Sequence, residues 1–403
     1  MAQLEGAEIA FDGADVGVAL DLPAESAVCS ACAPADDPRQ AFDELVRTLG
    51  GAECGLLAIF AAPMADLELL AQLGPEYFPR SQIIGCTTAG EITPKGYSED
   101  SILLVAFKAS HVVAETVPIL GLAKAEVARA AQEAVRRRAK LAAAAPEWAW
   151  EFSFLLIDGM SLREDQVVSA LRLGLGGMPF FGGSAGDGLD FGHTYVLVDG
   201  VFREDAAVLA VCRSRCRVQV IKFDHFEPTN TKMVVTEAIP DRRIVREINA
   251  EPAAREYARL VGVREDELSP FVFSSHPVVV NVGGQHHVRA IQRVEENGDL
   301  VFFSAIDEGL VLTLAQAADI TDHMRTALAN VTLGGEPDAI IGCECLFRRL
   351  IAEQTQQTRV ISRMLADNRV VGFNTYGEQS GSVHVNQTFT GMAIYPPERS
   401  LRD

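Results

Sequence analysis

The sequence predicts a mixed α/β (α+β) fold in two domains, built from repeated strand-helix-strand-hairpin units and pseudo-symmetric. Two observations carry this. A glycine-punctuated segment is written three times: IIGCTTAGE at 83–91, FFGGSAGD at 180–187 and VVGFNTYGE at 370–378. Each copy follows an apolar run and a helix-like stretch, and each precedes a second alternating run. The composition agrees, since 403 residues with 48% hydrophobic and 22% charged can bury one large or two ordinary cores.

The turn is the sharpest part of the repeat. Gly85, Gly182 and Gly372 end a buried strand where the backbone must bend, and Gly90, Gly186 and Gly377 are placed to take positive φ. Small residues between them let a ligand, or another backbone, come close. Taken singly, each copy reads as a tight turn packed on a neighbouring layer. Three copies ending in an acid point instead to a repeated ligand-facing rim. Its residues are Gly85, Cys86, Thr87, Gly90 and Glu91 in the first copy, and Gly182, Ser184 and Asp187 in the second. The third copy gives Asn374, Thr375, Tyr376 and Glu378. The interval from Gly182 to Gly372 is close to twice that from Gly85 to Gly182, which suggests a lost fourth unit near PVVVNVGGQ at 277–285. On that reading the molecule is two pairs of units with a groove between the halves.

In chain order, residues 1–22 form a tail that is either disordered or an added edge strand. A strand at 26–32 follows, and then Asp37-Pro38 opens a helix with Phe42, Leu45, Val46 and Leu49 on one face, stopped by Gly50-Gly51. A strand around Leu57 and a helix at 67–73 lead to the first glycine turn. Strands at 101–107 and 112–117 precede an Ala- and Arg-rich crossover helix at 123–144. The second unit runs from Phe152 to 206–211, and a strand-like stretch at 218–235 surrounds FDHFEPTN. A turn and a helix from Asp241 to Leu260, with Pro252 in the helix's first turn, mark the hinge. The domains are therefore 23–240 and 241–395, with a tail at 396–403. The second contains a hairpin, 288–294 and 300–306, closed across Asn297-Gly298.

Charge and cysteine usage restrict the function. The formal net charge of −20 repels phosphate backbones and anionic lipid, so neither nucleic acid nor membrane is expected as a partner. The first residues lack the basic start and apolar core of a secretory signal, and no stretch is long and apolar enough to span a bilayer. A soluble cytoplasmic protein is expected, and a homo-oligomer is compatible with it. The eight cysteines read as small buried apolar residues in a reducing compartment. Cys29 and Cys32 form a CxxC, but on a strand they point to opposite faces, against a redox or zinc role.

Several of these segments together resemble a known family. GCTTAGEI with GYSEDS at 96–101, FFGGSAGD, and GFNTYGEQ followed by Asn386-Gln387-Thr388 look like the FIST N and FIST C sensory modules, over about 23–395. Cys345 and Arg348 match the Cys-x-x-Arg of the C-terminal module, adding Arg348 to the ligand-binding candidates. DHFEPT, the stretch from VVTEAIPDRR to ARLVG, and FFSAIDEG are similar to the nitric-oxide-sensing, NosP-like branch of that family. The resemblance implies a haem-bearing sensor of nitric oxide that regulates a separate histidine kinase or cyclic-di-GMP enzyme in a two-component system. With no CxxCH, the haem b it implies is held non-covalently. The second turn is one residue shorter than the others, which breaks a strictly threefold ligand role.

Under that resemblance His225 is the leading candidate for the axial metal ligand. Strand alternation puts Phe223 and His225 on one face, Asp224 or Glu227 can orient the imidazole, and Phe226 adds an apolar wall. The plain alternative is a half-exposed strand histidine. His276 and His193 come next, and cysteine ligation by Cys86 or Cys345 is a further alternative. Catalysis is not expected, because no histidine and acid pair with Cys86 in the sequence. The other sensor reading is haem-free, with Asp158, Glu91, Asp187 and Glu378 facing an amino-acid-like ligand.

Overall fold

The computed structural model describes residues 26–282, 284–381 and 383–397. The tail reading for 1–22 lies outside the described residues, as does most of 396–403. Within them the chain forms three similar units and one inserted sheet, so the α/β expectation holds.

Each unit has four central strands. In the first the order is Val28–Pro34, Ser101–Lys108, Cys54–Ala61, Gln82–Thr87. The last two run parallel and are joined by helix Leu67–Tyr77; the others are antiparallel. The second repeats this as Val112–Leu120, Ala206–Ser214, Trp150–Ile157 and Phe180–Ser184, with helices Lys124–Ala144 and Glu164–Leu175. The third is Val218–Phe223, Phe389–Ile394, Ala339–Cys345 and Val370–Thr375. Helices Ile320–Thr332, Leu346–Gln354 and Thr358–Asp367 belong to it. The strands are nearly continuous apolar runs because both faces are covered. Phe60, Phe154, Phe373 and Cys343 face a core shared by all three sheets, while Leu57, Leu155 and Ile340 face each unit's own helices.

The hairpin after each glycine turn leaves its own unit. Glu91–Thr93 and Gly96–Ser98 join the third sheet, Ile92 lying opposite Gly372. Val196–Val198 and Val201–Arg203 join the first, Val196 opposite Cys86. Glu378–Ser380 and Val383–Val385 join the second, Gln379 opposite Gly182. The exchange closes in a circle.

The doubled interval has a different origin from the one expected. Between Val218–Phe223 and helix Ile320–Thr332 the third unit carries an inserted antiparallel sheet, in the order Gln285–Arg289, Val278–Val282, Val311–Ala317, Phe226–Ile239, Ile244–Ile248, Leu300–Phe302, Ile291–Val294. Residues 277–285 therefore form no lost glycine turn: Val278–Val282 is one arm of a hairpin with Gln285–Arg289. The described residues hold three units and an insertion, not two pairs. Asp241 lies in a single 3-10 turn, Pro240–Arg242, within the inserted sheet.

Local signals fared according to how local they are. Asp37 caps helix Pro38–Leu49 by accepting from Gln40 N at 3.1 Å, and Gly50 ends it at φ 57°. Val46 is 44% exposed, off the buried face that Phe42, Leu45 and Leu49 make. Pro252 stands just before helix Ala253–Val261 rather than inside it. Cys29 and Cys32 do face opposite cores, and all eight cysteines are buried. No helix among the described residues is long and apolar enough to cross a membrane.

Candidate functional site

The three glycine turns meet where the units converge. Gly186 N donates to Thr87 O at 3.0 Å, Ala89 N to Asn374 O at 2.9 Å, and Ser184 N to Gly377 O at 2.9 Å. What comes close to these turns is protein: another turn at Gly186, and the hairpin's own His384 at Gly377. A Cβ on Gly186 would lie 2.9 Å from Ala89 N, and one on Gly377 2.2 Å from the His384 ring. Of Gly90, Gly186 and Gly377 only Gly90 takes positive φ, at 122°; the other two are glycine for want of space. Gly85 and Gly182 abut backbone too, since a Cβ on them would lie 2.7 Å from Ile59 O and 2.3 Å from Leu155 O.

The acids fasten returning chain. Glu91 Oε2 accepts from Ser101 Oγ at 2.7 Å and Ser101 N at 3.3 Å, and Oε1 from the Thr88 hydroxyl. Asp187 accepts from the amides of Phe191, Gly192 and His193 and from the Tyr376 hydroxyl. Asp158 holds Met160 N at 2.9 Å, Asp205 N at 2.7 Å and the Thr194 hydroxyl. Glu378 Oε2 accepts from Thr388 N at 3.0 Å and Thr388 Oγ1 at 2.7 Å. Cys86 faces the shared core, where burial pushes its thiol well above the usual range.

The third turn departs from the first at one atom. Thr88 bonds to Glu91, but its counterpart Thr375 turns its hydroxyl to Ser184 O at 2.7 Å and Gly377 O at 2.8 Å. Glu378 Oε1 is thereby left buried with no partner. Burial pushes the Glu378 carboxyl up to about 8, so it is largely protonated at neutral pH. Most other buried side-chain polar atoms lacking a partner among the described residues also lie in the third unit, its hairpin or the link at His225. Buried polar groups ordinarily have partners, so a concentration of orphans in one region marks it for an occupant.

Arg348 is the centre of this region. Strand Ala339–Cys345 runs directly into helix Leu346–Gln354, which sets Glu344 and Arg348 four residues apart, both fully buried. Arg348 Nε donates to Glu344 Oε1 at 3.1 Å and Nη1 to His225 Nδ1 at 2.8 Å, while Nη2 has no partner. Tyr97, from the hairpin contributed by the first unit, donates its hydroxyl to Glu344 Oε2 at 2.5 Å. A buried polar chain thus runs His225, Arg348, Glu344, Tyr97. Phe226 packs 4.0 Å from the His225 ring, and Phe223 stacks on Phe389 at 4.8 Å. Glu344 and Tyr97 were not singled out in the sequence. The four-residue spacing of Glu344 and Arg348 was the available signal, but it acquires meaning only once the strand-to-helix junction is known.

The histidines do not converge. His193 is exposed and tied to Glu204 at 2.6 Å, His276 ends helix Pro270–Ser275, and His225 is buried at the insertion point. His225 as placed does not fit an axial haem ligand. A guanidinium only donates, so Nδ1 must accept and the proton sits on Nε2, the atom that would need a lone pair for iron. Burial and Arg348 together push its imidazolium down to about 2. His276 has the opposite polarity, its Nδ1 lying 3.3 Å from the Val272 carbonyl. Among the described residues, no group of three or more His, Cys, Asp and Glu is placed to hold a metal ion.

Two family models match the chain, the FIST N domain over residues 55–251 and the FIST C domain over 253–381. The chain belongs to the FIST family. FIST domains point to a sensory role in signal transduction. The FIST C match contains Glu344 and Arg348 and the FIST N match contains Tyr97 and His225, so the buried polar chain joins the two FIST modules. An uncharacterised protein of Methanocaldococcus jannaschii is 22% identical, over 89% of this chain and 77% of its own length.

Proposed function

We propose that this FIST protein senses a small polar ligand in its third unit, the ligand completing the bonds that Arg348 and Glu378 lack. The observation that carries this is a fully buried guanidinium with Nη2 unpaired, in the same unit as a protonated carboxyl with Oε1 unpaired. Such groups cost about 1–3 kcal/mol each when left unsatisfied, more for a charge. An occupant with an anionic or acceptor end for Arg348 and a second polar end for Glu378 recovers that cost. An amino acid or similar small carboxylate has this form. Binding changes what Arg348 can offer His225, and His225 stands where the third unit's first strand passes into the inserted sheet. The signal is then a shift in how that sheet sits, read by a separate cytoplasmic partner, a histidine kinase or cyclic-di-GMP enzyme. Catalysis has little support, because the Cys86 thiol is buried and un-ionised.

A thermal-shift screen of amino acids and small carboxylates tests this. A ligand at 100 times its Kd stabilises the folded state by about 2.7 kcal/mol. The expected result is a raised melting temperature that disappears in Arg348→Gln. If no compound in the screen raises the transition, the reading fails.

The haem and nitric-oxide reading keeps one supporting observation, the carbonyl-anchored Nδ1 of half-buried His276, which leaves Nε2 a lone pair. Absorption spectra of protein expressed with a haem precursor, beside His276→Ala and His225→Ala, decide it. A stoichiometric Soret band lost only with His276 would move the sensor to haem. Its absence leaves the polar-ligand reading.

A further inference from the structure

Strand Val218–Phe223 is outermost in its sheet and pairs, among the described residues, only with Phe389–Ile394. Arg217 O accepts from Tyr395 N at 2.9 Å, and Ile394 O, opposite Val218, is turned the other way to Asp338 N at 2.8 Å. Bonded residues alternate in an antiparallel pair, so Gln219, Ile221 and Phe223 address the neighbouring strand. The N–H and C=O groups of Val218, Val220 and Lys222 then point out of the sheet. Such a row is a template for another strand.

A groove of about 390 Å³ runs along this edge. It is lined by every residue from 219 to 223, whereas a groove on the face of a strand touches alternate residues. Helix Ile320–Thr332 forms its wall, with His323, Ala327 and Val331 on one side at helical spacing. The strand's side chains divide by face. Ile221 and Phe223 pack with Met324 and Leu328 of that helix, while Val218 and Val220 pack on the shared core. Alternation puts Lys222 on the second face. Lys222 is among the residues lining the groove and no acid is, in a chain of formal net charge −20.

We propose that this edge takes up an extended peptide segment of a partner protein, with apolar residues facing the helix and an Asp or Glu between them beside Lys222. An added strand alternates its side chains, so every second residue meets Ala327 and Val331 and the one between lies on the face of Lys222. An acid there is favoured as a cross-strand pair. A second copy is disfavoured, because two bodies of this net charge repel. The groove also adjoins the buried polar chain. The ring centroids of His323 and Phe223 lie 6.0 Å apart, and Arg348 Cζ lies 5.7 Å from the centroid of Phe223. A segment docked on this edge therefore bears on the side chain that Arg348 overlies.

Selection from a random library of displayed peptides about seven residues long tests this, with the selected peptides then synthesised. The expected result is enrichment of apolar residues at a spacing of two with an acid between them. Binding of such a peptide should slow hydrogen exchange at the amides of Val220 and Lys222. N-methylation of the peptide at alternate residues should weaken binding roughly tenfold or more in the register that removes its ladder donors, and leave it unchanged in the other. Val220→Pro removes an outward N–H and no bond of the sheet, and should weaken binding in the same way. Selection against Lys222→Glu should put Lys or Arg in place of the acid. No enrichment, or peptides that bind without slowing Val220 and Lys222, would overturn the proposal. So would protection of those two amides before any peptide is added: protection that grows with concentration alongside a dimer in light scattering assigns the edge to a second copy, and protection in the monomer assigns it to the chain itself. The docking does not depend on ligand sensing, so either reading can fail alone.

Discussion

At the scale of single residues, Arg348 and Glu378 carry the most consequence. Replacing Arg348 by Ala removes a buried charge but strands Glu344, so a loss of about 3–5 kcal/mol is expected in chemical denaturation. Arg348→Lys should recover part of that but not ligand response, since one ammonium cannot serve Glu344, His225 and an occupant together. Glu378 predicts a pH dependence. Its folded-state pKa, about 8, lies above that of an unfolded glutamate, so the folded protein binds the extra proton. Its stability contribution is complete below the unfolded value and is lost as pH rises through about 8. Glu91, raised by burial to about 7, acts in the same direction. Melting curves from pH 5 to 9, roughly the window these shifts span, should show Glu378→Gln losing less stability than the parent as pH rises. An equal slope in both would remove Glu378 as the cause.

At the scale of elements, the glycine turns are locked to one another, and small residues there are space-limited. Gly186→Ala is expected to cost about 1–3 kcal/mol by overpacking, because its Cβ would meet the backbone of the first turn at Ala89. Gly192, whose Cβ would meet only the Asp187 carboxylate at 3.5 Å, is the control and should tolerate Ala better. The inserted sheet is pinned to the second unit by Arg243, 3% exposed, which bonds to Glu164 at 2.6 Å and to the Phe303 carbonyl. Arg243→Ala should cost about 3–5 kcal/mol by stranding buried Glu164; urea titration measures it. Such elements were partly legible in the sequence. The helix opened by Asp37-Pro38 and the turn at Gly298 could be read because their signals lie within a few residues. The three glycine turns could be read because they repeat. What those turns face could not be read, because Thr88 and Thr375 are the same residue at the same repeat position. The Thr375 hydroxyl is drawn to the carbonyls of Gly377 in its own turn and of Ser184, almost two hundred residues away in the chain. The insertion was mistaken for a fourth unit because a spacing records length and not pairing.

At the scale of the whole molecule, the shared core and the circular exchange of hairpins predict a single unfolding transition for the three units. Unfolding any one removes a strand pair from the next and uncovers its share of the common core. Calorimetry should therefore give a calorimetric enthalpy equal to the van't Hoff enthalpy for the main transition. The inserted sheet packs in a cluster distinct from the shared core, joined there by Phe347 and Leu350 of the third unit and by Tyr376 and Ala89 of the turns, and is the part expected to open first. Two resolved transitions of similar size, one for each FIST module, would contradict this.

The circular exchange also says something about a unit taken alone. Cut from the chain, it would own a hairpin with nothing to pair with and a sheet edge with nothing to receive. Head-to-tail association answers both needs at once, and a rotation that closes after three copies leaves no end exposed. The single polypeptide is in this sense a strand-swapped trimer written on one string, in which the copies became free to differ. The third copy used that freedom, releasing one carboxylate oxygen and admitting an extra sheet at the place where its helix would otherwise follow its strand.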